Sequence, residues 1–254
     1  MLHKYFVVAT ALGLGLAGAG RAHAQLAASA TVESQYRFQG VALTRGEPDG
    51  RIGLSYDHPS GAYGGVSMIV GNTQGDGVQP LGYMGYAGFA KQTPGGMNWD
   101  VGVTNADITL YLPAEMAVSS PQYGVSIQKY IRRYNFDYTE VYVGISKNDL
   151  SARLYISPDY LGQRLRTAYL DVTGAIRPTT HLRLFMHAGL LTPLSDGTGS
   201  NVAREHFDFS PGGAWEFRHA EIRLTWSATT PRVDYPVGYP QKRNVFILSA
   251  THFF

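Results

Sequence analysis

The residues of this chain that could do chemistry are scattered charged side chains and histidines. His206 and Asp208 stand two positions apart and would share a face of a strand, but a metal site needs three or four ligands. His187 lies close in sequence to Arg183, which favours a hydrogen-bonding role. A serine, histidine and acid brought together from different strands is the alternative, and no local motif supports it.

The motifs of common active sites are absent from the sequence. There is no G-x-S-x-G nucleophile elbow, no H-E-x-x-H zinc motif and no phosphate-binding loop. The chain contains no cysteine, which excludes disulfides and thiolate metal sites. We therefore predict that the protein is not an enzyme and uses no cofactor or metal.

Residues 1–24 have the three parts of a secretory signal peptide. Lys4 supplies the positive charge, residues 6–20 are apolar, and Ala22-His23-Ala24 is a small-x-small cleavage site. A retained membrane helix is the alternative, but the apolar stretch is shorter than the about 20 residues that span a bilayer. We expect cleavage of this leader and a single mature domain over residues 25–254.

Composition favours a membrane barrel over a soluble periplasmic domain. The chain has 30 glycines, 17 tyrosines and only 16% charged residues, which suits short strands that end in aromatic side chains. Loss of residues 1–24 removes Lys4 and Arg21, so that 21 basic residues fall to 19 and equal the 19 acidic ones. This balance gives no basic surface for nucleic acid, and we predict no nucleic-acid partner.

Apolar and polar residues alternate with a period of two along most of the mature chain, which predicts antiparallel strands. The first strand is expected over 28–42, and a shift of the apolar phase in 98–112 predicts a bulge near 105–107. A soluble barrel would place the apolar face inside, whereas a barrel in a membrane turns it toward lipid. In the membrane case the lumen would be lined by Glu33, Arg37, Arg51, Asp57, Asp100, Glu140, Arg153, Asp171, Arg183, His187, Glu221 and Arg223.

Connection lengths predict the strand count and the orientation. Short turns on the periplasmic side and long loops outside are typical of outer-membrane barrels. We predict an all-β, antiparallel, up-and-down transmembrane β-barrel of about twelve strands, with residues 113–135 in an outer loop that includes a short helix. Short turns are expected at 58–61, 93–96, 147–149, 178–180 and 218–219, and long connections at 43–49, 73–80, 113–135, 158–165, 192–204 and 231–242.

Aromatic residues mark the predicted strand ends and the C-terminus. Tyr36, Phe38, Trp99 and Trp226 are among those expected at the level of the lipid headgroups. The final strand resembles the signal by which outer-membrane barrels are recognised for insertion, although His252 stands where an aromatic is more common. The residues of this candidate insertion signal, which share one face, are Phe246, Leu248, Ala250 and Phe254.

Four short motifs occur in order through most of the mature chain, and with them the chain resembles the TorF porin family of proteobacterial outer-membrane proteins. The resemblance implies a β-barrel and a pore, and it implies no particular substrate. Where the family usually has Arg before the first glycine, this sequence has Gln39, so no role of that Arg is carried over. The motifs are Ser34-x-Tyr36-x-Phe38-x-Gly40, Gly61-Ala62-Tyr63-x-Gly65, Tyr138-x-Glu140-Val141-Tyr142-Val143-Gly144 and Leu154-Tyr155-x-Ser157-Pro158-Asp159-Tyr160.

Three functions are compatible with these features. The first is a porin of the Gram-negative outer membrane that passes small hydrophilic solutes through a narrow lumen of mixed charge, with weak ion selectivity. The second is a non-conducting structural or surface-interaction barrel, closed by internal salt bridges and residues 113–135, and the third is a soluble periplasmic binding barrel. The expected partners are outer-membrane lipid and lipopolysaccharide, the barrel-assembly machinery during insertion, and small solutes. The oligomeric state is left open.

Overall fold

The structure of the chain, a computed structural model, describes residues 25–44, 46–73, 77–120, 124–196, 204–230 and 242–254. Within these ranges the side chains of residues 73, 110–132 and 134 are not described. The predicted signal peptide, residues 1–24, lies outside the described residues. No helix in the described part of the chain is long and apolar enough to cross a bilayer.

Twelve strands of the described chain form one closed antiparallel barrel, which confirms the predicted fold class. Each barrel strand pairs with the next one along the chain, and the first pairs with the last, from Ser29 opposite Phe253 to Glu33 opposite Ser249. The barrel strands are β1 (Gln25–Glu33), β4 (Asp49–Asp57), β5 (Ala62–Thr73), β6 (Gly77–Gln92), β7 (Asn98–Ser120), β8 (Gly124–Lys147), β9 (Leu150–Ser157), β10 (Thr167–Ile176), β11 (Leu182–Pro193), β12 (His206–Glu216), β13 (Ala220–Thr230) and β14 (Asn244–Phe253), and a separate two-stranded hairpin is made of β2 (Arg37–Phe38) and β3 (Val41–Ala42).

The five predicted short turns lie at one end of the barrel, which we call the turn end, and the longer connections lie at the opposite end. The prediction of one strand over 28–42 was wrong, because β1 ends at Glu33 and residues 34–48 leave the wall before β4 begins at Asp49. Residues 158–166 include a short 3-10 helix (Tyr160–Gly162). The long connection expected at 73–80 is shorter than predicted, since β6 already begins at Gly77, and most of the connection expected at 231–242 lies outside the described residues.

The hairpin of β7 and β8 corrects the prediction of an outer loop with a helix over 113–135. The two strands pair without interruption from Asn98 opposite Ser146 to Ser120 opposite Gly124. Pairing with β6 stops at Ile108 and pairing with β9 begins at Val141, so the distal part of the hairpin is a two-stranded ribbon that extends past the barrel.

The bulge predicted near 105–107 is also absent, because the register between β6 and β7 is regular from Gln92 to Gly82. A register shift occurs instead between β5 and β6, where Ile69 faces Gly82 and Val70 faces Pro80. Leu81 is therefore the extra residue of a bulge in β6.

The outer surface of the barrel is a belt of exposed apolar side chains. Val141, Val143 and Ile145, which alternate with the buried Glu140, Tyr142 and Gly144, are each more than half exposed. Monomeric soluble proteins rarely expose apolar patches larger than a few hundred Å². The members of the belt include Ile52, Leu54, Val66, Met68, Val101, Val103, Val141, Val143, Ile145, Leu154, Leu170, Leu184, Met186, Ile222, Leu224 and Leu248.

Aromatic side chains border this belt at both ends. On β12, Phe207 and Trp215 both face outward and lie 8 residues apart. At about 3.4 Å per residue and a strand tilt of about 40°, their separation along the barrel axis is roughly 21 Å. This agrees with the apolar band of about 25 Å between aromatic girdles in outer-membrane barrels.

Candidate functional site: the barrel lumen

Residues 35–44, which we call the inner segment, fold into the lumen at the end opposite the turns. Phe38, Val41 and Leu43 of this segment are at most 2% exposed. The segment is bound from β12, where a ring nitrogen of His206 lies 2.9 Å from the Gln39 carbonyl oxygen. It therefore crosses the interior of the barrel.

Gly40 is the point of closest approach between the inner segment and the barrel wall. Its φ is +79°, in the left-handed region that favours glycine. A Cβ at this position would lie 2.9 Å from the Asp208 Cβ and 2.9 Å from the Thr229 Oγ1. The Thr229 hydroxyl instead donates a hydrogen bond of 3.1 Å to the Gly40 carbonyl oxygen. A glycine here lets the backbone reach the wall.

The apolar side chains of the inner segment pack against inward-facing apolar residues of the wall. The rings of Phe38 and Tyr138 lie 5.0 Å apart between centroids, and the Tyr36 hydroxyl points at the Met84 sulfur at 3.9 Å. Packing against the inner segment also explains the apolar phase shift in β7. Ile108 of that strand faces inward, is 1% exposed and belongs to the same apolar cluster as Tyr36 and Phe38. Other buried members of the cluster are Ile69, Leu81, Ala106, Phe136, Tyr160, Leu161, Leu165 and Leu191.

The prediction that Tyr36 and Phe38 lie at the lipid headgroups was wrong. Both side chains are buried inside the barrel, at 4% and 1% exposure. Burial raises the pKa of the Tyr36 phenol well above its usual value, so this hydroxyl stays neutral.

An ion pair of the wall anchors the chain on both sides of the inner segment. The Arg51 guanidinium lies 2.9 Å from the Glu33 carboxylate and 4.0 Å from the Asp49 carboxylate. The same guanidinium stacks over the Tyr36 ring at 5.0 Å from its centroid. Glu33 and Asp49 flank residues 34–48 in sequence, so Arg51 holds together the two points at which the chain leaves and rejoins the wall.

Gln39 binds the most deeply buried carboxylate of the lumen. Its amide nitrogen donates to the Glu140 carboxylate, with distances of 3.1 and 3.4 Å to the two oxygens. Glu140 is 1% exposed. Gln39 is also the residue at which the sequence departs from the TorF pattern. The departure therefore lies at the position of the inner segment that faces Glu140.

A histidine between two carboxylates bridges three neighbouring strands. The ring nitrogens of His187 lie 2.8 Å from Asp208 and 3.3 Å from Asp171. The Tyr169 hydroxyl donates to Asp208 at 3.0 Å, and the Thr173 hydroxyl donates to Asp171 at 3.1 Å. Because each nitrogen faces an acceptor, the arrangement suits a doubly protonated imidazolium.

The carboxylates of this cluster bind opposite sides of the imidazole and do not converge on one point. Across the described residues, no three His, Asp or Glu side chains are grouped as a metal ion would require. The cluster is therefore a crosslink between β10, β11 and β12.

The half of the lumen near the turn end contains two more ion-pair clusters. In one, the Arg153 guanidinium binds Asp100 at 3.0 Å, and the Tyr63 hydroxyl donates to the same carboxylate at 2.9 Å. In the other, Arg183 binds Glu216 and Glu221, and Arg223 binds Glu221 at 2.8 Å. Charges of opposite sign therefore neutralise each other locally and do not form a ring of one sign.

A chamber lined by polar, charged and aromatic side chains lies between the inner segment and these clusters. Its volume is about 90 Å³, several times the about 10–15 Å³ that a cavity needs in order to hold one water. Residues 35–40 of the inner segment form one wall, and side chains of β10 to β14 form much of the rest.

The structure places the residues that the sequence assigned to the lumen as follows. Arg37 is on the inner segment, where its guanidinium donates to the Gly40 and Lys242 carbonyl oxygens, and Asp57 points inward at the exposed rim of the turn end. His187 is half-buried, and Arg51 is largely enclosed by its acidic partners. The remaining members are buried inside the barrel: Glu33, Asp100, Glu140, Arg153, Asp171, Arg183, Glu221 and Arg223.

Sequence reasoning missed three acidic residues of the lumen. Asp49 has the same odd-numbered phase as Arg51 in β4, so extension of that strand by two residues would have found it. Asp208 shares a face with His206, as the spacing indicated, but its partner His187 is on another strand. Glu216 has the even-numbered phase of Asp208 in β12 and stands between the outward-facing Trp215 and Phe217, so the alternation would have found it.

The candidate insertion residues lie on or next to the closing strand. Phe246, Leu248 and Ala250 face outward on β14, and Phe254 follows the strand and is 78% exposed. The Phe254 amide donates to the Ala28 carbonyl oxygen of β1 at 3.1 Å.

Comparison with known proteins identifies a family and several distant structures. Residues 17–216 match the model of the family described as "Bacterial protein of unknown function (Gcw_chp)". No protein in a search of curated sequences matches the chain. The assignment to the TorF porin family stays a prediction.

Three solved structures illustrate the structural similarity. OmpF of Salmonella typhi in complex with daunomycin has a TM-score of 0.41 and 8% identity over 91% of this chain and 97% of that chain. A loop-deletion mutant of OmpT, an outer membrane protein of Vibrio cholerae, has a TM-score of 0.39 and 9% identity over 91% and 99%. The beta domain of the Bordetella autotransporter BrkA has a TM-score of 0.38 and 12% identity over 91% and 98%. Similarity at this level carries no argument about function.

Proposed function

This chain belongs to the Gcw_chp family of bacterial proteins, and we propose that it is a narrow pore of the Gram-negative outer membrane for small hydrophilic solutes. The observation that carries the proposal is the distribution of polarity, with apolar side chains outside a closed barrel and charged and hydroxyl side chains inside it. Export by the leader at residues 1–24 is part of the proposal.

The outer surface supports the location in a membrane. Ile52 and Met68 are 66% and 61% exposed on the outer surface. Transfer of each side chain out of water is favourable by roughly 1 kcal/mol or more, which a lipid environment would provide. A soluble binding barrel would have the opposite arrangement, with these side chains inside. Closure between β1 and β14 also leaves no open edge in the described barrel wall, as a strand structure within lipid requires.

The lumen supports a narrow path with weak ion selectivity. The chamber is lined by polar and charged side chains together with aromatic rings, and charges occur there as pairs such as Arg51 with Glu33 and His187 with Asp208. Strong selectivity comes from rings of one sign, and such a ring is not found among the described residues. The inner segment forms the constriction, because its apolar side chains fill the lumen at the end opposite the turns.

A non-conducting barrel is the second candidate, and the inner segment is the observation that favours it. A segment with fully buried side chains such as Val41, bound from β8, β12 and β13, could close the lumen permanently. The protein would then serve as a structural or surface-interaction protein of the outer membrane.

Conductance of the purified mature protein in planar bilayers tests the proposal. We expect small conductance steps in potassium chloride with little preference for either ion. Absence of steps over a wide voltage range, in the wild type and in a variant with a weakened inner segment, would favour the second candidate. Heat-modifiable migration on cold gels tests the membrane barrel independently, because a soluble barrel does not show it.

The C-terminal residues carry a subsidiary proposal, in which Phe246, Leu248, Ala250 and Phe254 form the face presented to the barrel-assembly machinery. Replacement of the outward-facing Phe246 by Asp should lower the amount of folded barrel in outer-membrane fractions. The replacement of Val245, which points inward on the same strand, by Thr is the control.

A further inference from the structure

One wall of the chamber is made of hydroxyl side chains on three adjacent strands. Ser210 on β12, Thr225 and Ser227 on β13, and Ser249 on β14 all line the chamber. Ser227 and Ser249 are only 3% and 7% exposed. These hydroxyls have no hydrogen-bond partner in the protein among the described residues, so they are available to molecules that enter the chamber.

The charged groups around the chamber are, in contrast, already bound to protein groups, and Arg37 donates to the Gly40 and Lys242 carbonyl oxygens. Asp208 accepts from His187 and Tyr169 at 2.8 and 3.0 Å, and Glu33 is paired with Arg51. A cation or an anion would have to replace these partners to bind here. The groups free to bind a ligand are neutral donors and acceptors.

The same chamber offers aromatic surfaces and a limited volume. Tyr155, Tyr169 and Phe185 line it opposite and beside the hydroxyl wall. Carbon-bound hydrogens of a polyol pack well on such rings while its hydroxyls bond to the polar wall. The volume of about 90 Å³, which has room for several waters, suits a molecule of the size of glycerol.

We propose that the lumen chamber is a binding site for a small uncharged polyol, held by Ser227, Ser249, Thr225 and Ser210. The proposal names the solute class of the pore proposed above and rests on that function for transport. Binding itself does not require conduction.

Saturation-transfer NMR on the mature barrel in a detergent without a sugar headgroup, with glycerol as the probe, tests this site. We expect saturable transfer to the glycerol protons in the wild type. In the double variant Ser227→Ala/Ser249→Ala we expect affinity to fall by about tenfold, because two neutral hydrogen bonds are lost. The matched control is Ser55→Ala/Ser151→Ala, which removes two hydroxyls of the wall that do not line the chamber.

The outcomes separate this proposal from the proposed function. Equal glycerol binding by the wild type and the Ser227→Ala/Ser249→Ala variant would overturn the site, whether or not the barrel conducts. Binding of tetramethylammonium in preference to glycerol would also overturn it and indicate a cation site. Glycerol binding that depends on Ser227 and Ser249 in a barrel without conductance would support the site and refute the pore.

Discussion

Replacement of Phe38 by Ala should open the lumen, because this side chain is the main apolar anchor of the inner segment. Phe38 is 1% exposed and its ring lies 5.0 Å from that of Tyr138 between centroids. Truncation of a buried Phe to Ala costs about 3–5 kcal/mol. That energy is lost only while the segment is seated, since a displaced segment has no such contact.

The cost of about 3–5 kcal/mol determines how far Phe38→Ala should shift the equilibrium between the seated and the displaced segment. Since each 1.4 kcal/mol is a factor of ten in an equilibrium, the ratio of displaced to seated segment should rise by about two to three orders of magnitude. A pore that is open for a small fraction of the time would then be open for most of it. The barrel itself should persist, because no strand pairing involves Phe38 except the short pairing of β2 with β3.

Single-channel recording in planar bilayers measures this change as open probability and as step size. Phe207→Ala is the matched control, because Phe207 faces outward and is 44% exposed. Heat-modifiable migration shows that both variants are folded. The reasoning is refuted if folded Phe38→Ala shows the same steps and open probability as the wild type and the control.

Three further predictions concern the stability of the barrel, measured by urea-dependent unfolding in vesicles. Gly40→Ala should lower the free energy of unfolding of the barrel by about 1–3 kcal/mol, because its φ is +79° and the new Cβ would meet the wall. An unchanged urea midpoint would contradict the close approach of Gly40 to the wall. Val143→Arg should lower the free energy of unfolding by roughly 2–4 kcal/mol because this outward position faces lipid, whereas Val143→Leu should leave it nearly unchanged. Equal stability of the two variants would argue against a lipid-facing surface. Arg153→Met should cost about 3–5 kcal/mol, because Asp100 is left buried without its partner, and much of this loss should be recovered by Arg153→Met/Asp100→Leu.

The barrel was predictable because its two faces have opposite chemistry over many strands. Residues such as Val141, Val143 and Ile145 repeat with a period of two, and any one-residue slip would turn them into the lumen. The short turns were equally clear, since Gly, Pro, Asn and Asp determine their conformation locally. The strand count follows from these local features.

The inner segment was not predictable from the same rules. Tyr36 and Phe38 continue the alternation of β1, so the pattern alone extends the strand through them. What ends the wall at Glu33 is a contact between distant parts of the chain, in which Arg51 pairs with Glu33 while His206 and Thr229 bind the backbone at Gln39 and Gly40. Period-two alternation reports only that a face is apolar, and not whether lipid or protein covers it.

The apolar phase shift in β7 shows how such a segment could be recognised in other sequences of this architecture. Inward positions of a membrane barrel are expected to be polar, so an inward Ile108 requires an apolar partner inside the lumen. A second signal is a glycine that follows two aromatic residues, as Gly40 follows Tyr36 and Phe38. The positive φ of Gly40 turns the chain back on itself. Apolar residues on the lumen face of one strand, together with a glycine turn after another strand, therefore predict a segment that folds into the lumen. The two signals distinguish the sequence of a filled barrel from that of an open one, although both sequences show the same alternation along their strands.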